Sequence, residues 1–405
     1  MKHRYYILLL ALLTLLAVGC RPELDEPGSG ETPKGILILL PERCQSVDNI
    51  RLELKDRNMG YILRSNEGQL VNDSTLWVVI DIPVGYYECT VEALVRVSNT
   101  YSYPVRAFLT FSVTDAATPV IGDSYAINTR KDFVLAEIFF AGTQTPDGKQ
   151  YTGDKYFLLV NNSDETLYAD GLILMESKFK NSKRFVVTPD KMAQAMAVDA
   201  LYRVPGDGTR FPVAPGDSFI IADNAIDHRA YNANSFDMSG ADVEWYDLST
   251  SATVTDVDNP AVPNMDKIYC YTLSIWVPNN QGITSFALGR LPVGMTDAQY
   301  LSTHAYDYTY LNVTQAGTFE MSGNAYLFPN EWIIDAVNLC PHSTYEWLCV
   351  HPSLDCGFAY VAETGSDKTR YGKAVHRKAD DSGRPIDTNN STNDFTVCSP
   401  HYCSY

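Results

Sequence analysis

The stretch "FVLAEIFFAGTQTPDGKQYTGDKYFLLVNNSDETLYADGLILMES", residues Phe133 to Ser177, decides the fold class of this protein. It contains an apolar run, a polar loop with glycines, an aromatic run, a turn of Asn, Asp and Ser, and a second apolar run. Short aromatic, aliphatic and β-branched runs that are bounded by turn residues are typical of strands. The stretch therefore predicts three strands of antiparallel sheet.

Similar runs precede this stretch. The region from Gly35 to Val113 offers the strand candidates "GILILL", "NIRLEL", "LWVVIDI", "CTVEALVRV" and "AFLTFSV". In the second of these, Ile50, Leu52 and Leu54 alternate with polar residues, which is the pattern of a sheet with one face in water. A chain of 405 residues is long enough for two or three domains. We predict an all-β protein of two β-sandwich domains, residues 35–128 and 129–405.

One helix is expected to interrupt the strands of the second domain. Residues 188–190, Thr-Pro-Asp, offer an N-cap, a proline for the first helical position and an early acid. Met192, Met196 and Ala200 follow at helical spacing, and we interpret the two methionines as core residues. The second sandwich is therefore predicted to carry one or two short helices.

The N-terminus has the features of an export signal. Two basic residues precede an apolar run from Tyr5 to Val18, which is shorter than the roughly 20 residues that a membrane-spanning helix needs. The run ends in Leu-Ala-Val-Gly-Cys at Cys20, which resembles the lipobox of bacterial lipoproteins. We predict a signal peptide at 1–19, a lipid on Cys20 and a flexible tether at 20–34. The alternative is an ordinary secretory signal, with Cys20 in a disulfide.

Lipidation would place the protein in the outer membrane. Glu23, Asp25 and Glu26 form an acidic patch that resembles the export signal of Bacteroidota-type surface lipoproteins, which implies the cell surface. The formal net charge of the chain is -18. A surface of this sign repels phosphate backbones, so a nucleic-acid partner is not expected. The expected contacts are the membrane, through the lipid, and an outer-membrane receptor or another envelope protein.

Nine cysteines occur in the chain, and eight remain when Cys20 is assigned to the lipid. An even number in an exported chain indicates disulfides. Cys44 and Cys89 are the only pair in the first third, so they are the candidate bridge there. The pairing of the later six stays open: Cys270, Cys340, Cys349, Cys356, Cys398 and Cys403.

Two polar stretches raise the question of metals. "CSPHYC", Cys398 to Cys403, contains His401, and further cysteines and histidines lie between Cys340 and Cys356. Zinc is not predicted there, because paired C-x-x-C knuckles are missing, and no cofactor is expected. "DTNNSTNDF", Asp387 to Phe395, could offer oxygens to calcium. Asx turns that close a loop are the interpretation we favour for it, and for "DVDNPAVPN", Asp256 to Asn264.

No catalytic motif of a known hydrolase, kinase or dehydrogenase is found, so no catalytic residue is assigned. Glu137, beside an apolar strand, is the one acid that stands out, and we expect its carboxylate to accept a hydrogen bond from a loop amide. Trp245 and Tyr246, in "VEWYD", are flanked by acids. They are predicted to be exposed and are the candidate partner contacts.

Several stretches resemble known domains. "IPVGYYECTVEA", Ile82 to Ala93, resembles the closing hairpin of Ig-like or transthyretin-like domains. The stretch from Phe133 to Ser177 resembles the opening of lamin-tail domains, with Glu137, Asn161 or Asn162, and Gly171 at the recurring positions. "VAPGDSFIIADNA", from Val213, is similar to a lamin-tail strand, and the segment 372–395 to the end of such domains.

Residues 131–405 as a whole resemble a family of Bacteroidota-type surface lipoproteins whose domain has no known function. The stretches that carry this resemblance are "SFDMSGADVEWYD", "DVDNPAVPN" and "DTNNSTNDF". The resemblance implies a lamin-tail-like sandwich behind an N-terminal Ig-like or transthyretin-like domain. It implies nothing about activity.

The sequence thus leads us to expect a lipid-anchored binding or interaction module without enzymatic activity, which could serve beside an outer-membrane transporter. One alternative is a surface hydrolase that cleaves glycans with a pair of carboxylates. Another is a purely structural envelope protein.

Overall fold

Strands dominate the computed structural model, which describes residues 34–114, 120–249, 251, 255–272, 274–314 and 317–401. These residues form two compact units that divide between Ile127 and Asn128, one residue from the predicted boundary. The predicted signal peptide, Cys20 and nearly all of the tether lie outside the described residues. In the part of the chain that is described, no helix has the length and apolar character to cross a membrane.

The described residues of the N-terminal unit form eight strands. They are β1 (Gly35–Leu39), β2 (Ser46–Asp56), β3 (Ile62–Ser65), β4 (Gly68–Asn72), β5 (Thr75–Val79), β6 (Gly85–Arg96), β7 (Ser102–Val113) and β8 (Val120–Ala126). Their order is β3-β2-β6-β7-β8-β1-β5-β4. The first half of β8 pairs with β1 and its second half with β7, so β8 links the two halves of the sheet. Alternate residues of β6 are buried in one apolar core, as the alternation of the sequence predicts.

The predicted disulfide between Cys44 and Cys89 is not formed, and both side chains are buried free thiols. Cys89 lies in the middle of β6, opposite Leu54 and Leu109. Cys44 lies at the far end of that strand, because the amide of the next residue, Gln45, donates to the Arg96 carbonyl at 2.8 Å. Seven residues of strand span roughly 20 Å at about 3.3 Å each. A disulfide needs Cα atoms within about 7 Å, so this register keeps the two thiols apart.

The C-terminal unit contains sixteen strands in its described residues. They are β9 (Phe133–Phe139), β10 (Tyr156–Asn161), β11 (Leu167–Tyr168), β12 (Ile173–Ser177), β13 (Val187–Thr188), β14 (Ala195–Arg203), β15 (Pro212–Val213), β16 (Ser218–Ala222), β17 (Val243–Glu244), β18 (Asp266–Cys270), β19 (Ser285–Gly289), β20 (Ala305–Thr314), β21 (Gly317–Pro329), β22 (Ile333–Asn338), β23 (Ala374–Arg377) and β24 (Phe395–Cys398). The three strands predicted between Phe133 and Ser177 are β9, β10 and β12, which confirms that prediction.

The strands of this unit form two large sheets and one small sheet. One large sheet has the order β17-β16-β10-β9-β23-β24, and the other has the order β13-β20-β21-β14-β12-β19-β22, with β18 paired to β14. The small sheet joins β11 and β15. Side chains from both large sheets share one core, such as Phe157 from β10 and Phe286 from β19, whose rings lie 4.9 Å apart. This shared core is the packing of a β-sandwich.

Helices are few in the described chain, as the all-β prediction requires. Two short α-helices, Asp297–Thr303 and Ser391–Asp394, interrupt the strands. Four 3-10 turns complete the elements: His228–Ala230, Asn330–Trp332, His342–Thr344 and Lys368–Arg370. The fold class is therefore confirmed as all-β with several sheets. The Ig-like and lamin-tail identities of the two units stay predictions.

The helix predicted after residue 188 is wrong. Met196 and Ala200 lie in strand β14, and residues 191–194 form a turn in which Asp190 accepts a hydrogen bond from the amide of Met192. Residues four apart lie on one face of a helix and also on one face of a strand, so the methionine spacing fits both structures. Strand β14 lies inside its sheet and is buried on both faces, which removes the polar alternation that marks a half-exposed strand.

The prediction that Trp245 is an exposed partner contact is also wrong. Its side chain is fully buried and packs against Phe157 and Trp276, with ring centroids 5.7 Å and 5.2 Å away. Tyr246 is partly buried. The acids that flank the pair suggested water contact, but Glu244 and Asp247 are themselves buried and bonded to backbone amides. Trp245 is therefore a core residue.

A candidate metal centre at the edge of the six-stranded sheet

Four side chains with metal-binding atoms meet where β9, β23 and β24 lie side by side. Glu137 lies on β9 directly opposite His376 on β23. Cys398 ends β24, opposite Ala374 of β23, and His401 follows three residues later. The ligand-type atoms of these four residues all lie within 4.8 Å of one another. We call this group the edge cluster.

The local sequence explains how these side chains come together. Apolar residues beside the cluster, including Ala374 and Tyr156, belong to the core on the outer face of the six-stranded sheet. Successive strand residues point to opposite faces, so Arg377 points away from the side that His376 faces. There its Nη2 donates to both carboxylate oxygens of Asp335 at 2.8 and 3.0 Å, and its Nη1 contacts Asp387 and Asp394. This contact fixes β23 from behind the cluster.

The stretch Asp387 to Phe395, for which calcium was the alternative, forms the loop that leads into β24. Asp394 accepts hydrogen bonds from the hydroxyl and the amide of Thr388 at 2.6 and 2.9 Å. Asp387 accepts from Arg377 at 3.1 Å. These carboxylates close the loop on itself, which is the role that the favoured interpretation assigns to them.

The Glu137 carboxylate is the centre of the edge cluster. It is fully buried, and its Oε2 lies 2.7 Å from Nδ1 of His376 and 2.7 Å from Nδ1 of His401. Its Oε1 accepts from the His401 amide at 2.8 Å and from the Tyr156 hydroxyl. The Cys398 sulfur lies 3.8 Å from Oε2 and 3.4 Å from Nδ1 of His401. A hydrogen bond from a backbone amide was expected for Glu137. The contacts with two imidazoles and a thiol were not expected.

Burial and hydrogen bonding set the charges of the cluster. Burial alone would raise the pKa of Glu137, but hydrogen bonds from His376, Tyr156 and His401 outweigh it and hold that pKa below its ordinary value. Burial and the neighbouring Glu137 charge raise the pKa of the Cys398 thiol to about 12. Without a metal ion, the site therefore holds a carboxylate and a protonated thiol.

The donor set of one sulfur, two imidazole nitrogens and one carboxylate oxygen suits a borderline-soft ion. Zinc takes such ligands at about 2.0–2.3 Å in a tetrahedron, whose corners then lie about 3.3–3.8 Å apart. The two distances from the Cys398 sulfur, 3.4 and 3.8 Å, match this range, the two from Glu137 to the imidazoles are shorter at 2.7 Å, and all four ligand atoms lie within 4.8 Å of one another. Calcium and magnesium prefer oxygen ligands only, so the cluster does not suit them.

The structure brings together only part of what the sequence singled out. Cys398 and His401 of "CSPHYC" are in the cluster, and Cys403 lies outside the described residues. The region from Cys340 to Cys356 contributes nothing to it. There Cys340 and Cys349 are buried free thiols, Cys356 is buried, and Nδ1 of His351 forms a hydrogen bond with Ser353.

Sequence reasoning missed His376. Its only signal is a polar residue in the short apolar run "AVHR", which is too weak to indicate a ligand. Asn161 and Gly171, the other lamin-tail positions, have structural roles. The Asn161 amide donates to the carbonyls of Glu165 and Val213, and Gly171 has a φ of 73°, which favours glycine.

Comparisons with known proteins agree with the fold and leave the activity open. A crystal structure of a DUF4876 family protein from Bacteroides thetaiotaomicron matches with a TM-score of 0.54 and 19% identity, over 91% of this chain and 97% of that one. At this identity the likeness shows a shared fold. A search of curated proteins found no match. The family model for DUF4876, described as a protein of unknown function, matches residues 214–400, which include His376 and Cys398 but not Glu137. Residues 214–400 of this chain, slightly less than half of its length, are thus similar to the DUF4876 family.

Proposed function

We propose that the C-terminal unit binds one zinc ion through Glu137, His376, Cys398 and His401, within a lipid-anchored envelope protein that acts by binding and not by catalysis. The observation that carries the proposal is the convergence of four ligand atoms of three kinds within 4.8 Å. The sequence alone led us to expect no metal. The edge cluster is the reason for proposing one.

A purely structural hydrogen-bond network would not need two imidazoles and a thiol around one carboxylate. One carboxylate oxygen faces two imidazole nitrogens at the same distance of 2.7 Å, and a thiol lies beside them. Structural zinc sites have four protein ligands and no open position, and zinc binds cysteine sulfur, histidine nitrogen and carboxylate oxygen. The second oxygen of Glu137 is bonded to Tyr156 and to the His401 amide. Such outer contacts orient ligands in metal sites.

Metal binding at this site would release protons. A carboxylate can only accept hydrogen bonds, so the Nδ1 atoms of His376 and His401 both donate to Glu137 before an ion binds. The ion would take the lone pairs of these nitrogens and of the Cys398 thiolate. Each Nδ1 proton would move to Nε2 or to water, and the thiol proton would leave to water. Affinity should therefore rise with pH.

The metal content of the purified protein tests the proposal. We expect about one equivalent of zinc by elemental analysis after overnight dialysis against trace zinc, because four protein ligands hold the ion without exchange with water. Cobalt(II) in place of zinc should give thiolate-to-cobalt absorption that is lost in Cys398→Ser. Cys340→Ser, at a buried thiol outside the cluster, is the matched control. A protein that binds no ion under these conditions would refute the proposal.

Tyr156 is expected to act as a positioning residue for Glu137. Removing its hydroxyl in Tyr156→Phe leaves the ring in the core and removes a hydrogen bond that orients Oε1, which keeps the hydrogen bond from the His401 amide. Loss of an outer contact of this kind typically lowers metal affinity by about 10–100-fold. Competition with a chromophoric chelator would measure the change. An equal loss of thermal stability with and without zinc would instead indicate a purely structural role for the hydroxyl.

The anchor is proposed from the sequence. Cys20 follows an apolar segment that is too short to cross a membrane, and stable attachment needs more than one acyl chain. We expect Cys20→Ser to move the protein from the membrane fraction to the soluble fraction, as measured by immunoblot after ultracentrifugation. Cys44→Ser is the control and should stay with the membranes. Retention of Cys20→Ser in the membrane would contradict lipidation.

A further inference from the structure

We infer that the ion acts as a latch for the C-terminal strand, so that metal loading decides whether residues 396–401 stay docked on the edge of the six-stranded sheet. The inference rests on the proposed metal binding and adds a role for the ion. It depends on how weakly this part of the chain is otherwise attached.

Strand β24 is a short sheet edge. It has four residues, and among the strands that the structure describes it pairs with β23 alone. Strand β23 in turn pairs with β9 at only two register positions, Val375 opposite Ile138 and His376 opposite Glu137. Few backbone hydrogen bonds thus connect the end of the chain to the centre of the sheet, and such regions open at low free-energy cost.

The two ends of β24 are attached differently. Phe395, at its start, is buried and lies 4.7 Å from the Arg377 guanidinium. Thr396 and Val397 are exposed, so their side chains add little burial. Beyond them, the described hydrogen bonds of His401 go only to Glu137 and Cys398. Residues 398–401 are therefore held mainly through the edge cluster.

An ion in the cluster would cross-link three neighbouring strands and the segment after them. Glu137 and His376 come from β9 and β23, whereas Cys398 and His401 come from the end of β24 and the following turn. Opening residues 396–401 would remove two of the four ligands, so the ion opposes that opening. Without the ion, the edge of β23 would be free to pair with other backbone, as unpaired edges do.

Hydrogen–deuterium exchange of the full mature chain tests the latch. At free zinc of about 100 times the dissociation constant, exchange of the Cys398, Ser399 and His401 amides should be about 100-fold slower than with chelator, because the ion suppresses opening by that linkage factor. Amides of β10, in the middle of the sheet, should not change. Val397→Ala, at an exposed position without a ligand atom, should show the same zinc effect as the unaltered chain.

The outcomes separate the latch from metal binding. If zinc binds with one equivalent but exchange at 398–401 is unchanged, the latch is refuted and the metal site stands. If no ion binds, both proposals fail. His401→Ala adds a second arm, since three ligands remain for weaker metal binding. At zinc concentrations that fill its site, we expect this variant to lose zinc protection of the residue 401 amide, whereas Cys398, which is still a ligand, keeps zinc protection of its own amide. Undiminished zinc protection of residue 401 would count against the latch.

Discussion

Replacing Arg377 with methionine is expected to destabilise the C-terminal unit by about 3–5 kcal/mol, the usual cost of removing one partner from a buried ion pair. The Arg377 side chain is 2% exposed and contacts Asp335, Asp387 and Asp394. Methionine fills much of the space but leaves these carboxylates without their cation. Urea unfolding monitored by tryptophan fluorescence would measure the loss, because Trp245 and Trp276 are buried in this unit.

The matched control for Arg377→Met is Arg384→Met. Arg384 also pairs with an aspartate, Asp164, but that carboxylate is 62% exposed. Pairs in water contribute about 0–1 kcal/mol, so the control should lose no more than that. Both measurements are made with chelator present to keep metal binding out of the comparison. Equal losses in the two variants would mean that the buried cluster does not stabilise the sheet.

The destabilisation in Arg377→Met should also depend on pH. Burial raises the pKa of Asp335 and Asp394, and Arg377 opposes both shifts. Without the arginine, the folded state binds protons more tightly than the unfolded state, so stability falls as pH rises through the raised pKa values. We expect the difference from the unaltered protein to shrink when the pH is lowered from 7 to 5. A constant difference would indicate lost packing and not uncompensated charge.

Replacing His376 with alanine is expected to lower zinc affinity by at least about 100-fold, because a direct ligand is worth no less than an outer contact. At zinc of about 100 times the dissociation constant, the ion stabilises the unaltered protein by about 2.7 kcal/mol. At that zinc concentration, His376→Ala should lose most of this gain. Calorimetry with zinc and with chelator would measure both values.

His342→Ala is the control for the histidine experiment. His342 is exposed and lies outside the edge cluster, in a region that the sequence also offered for zinc. Its replacement should leave the zinc-dependent stabilisation unchanged. If His376→Ala keeps the full stabilisation, the ion binds elsewhere in the chain and the assignment of the site is wrong.

Local patterns determined much of what the sequence could predict. The runs between Phe133 and Ser177 became β9, β10 and β12 because an apolar strand bounded by turns needs no distant information to be recognised. The closing loop before Phe395 also followed from its own residues, since Asp and Asn side chains bond to nearby backbone amides. Each of these features depends on contacts within about a dozen residues.

Other features could not be predicted because distant segments decide them. The spacing of Met196 and Ala200 fits a helix and a strand equally well. Pairing of β14 with β12 and β21 determines that this segment is a strand. The acids beside Trp245 suggested that its side chain is exposed, but Trp276 and Phe157 pack against it in the folded protein. Cys44 and Cys89 are the only two cysteines in the first third of the chain after Cys20, which suggested a disulfide. The register of β6 separates them along the strand.

The sequence by itself determined the all-β fold class, because strand alternation and turn residues are local signals. Only the tertiary structure determined which side chains form the edge cluster. It joins Glu137 to side chains 239 and 264 residues further along the chain. Pairing of β23 with β9 creates that proximity, and no spacing within the sequence encodes it.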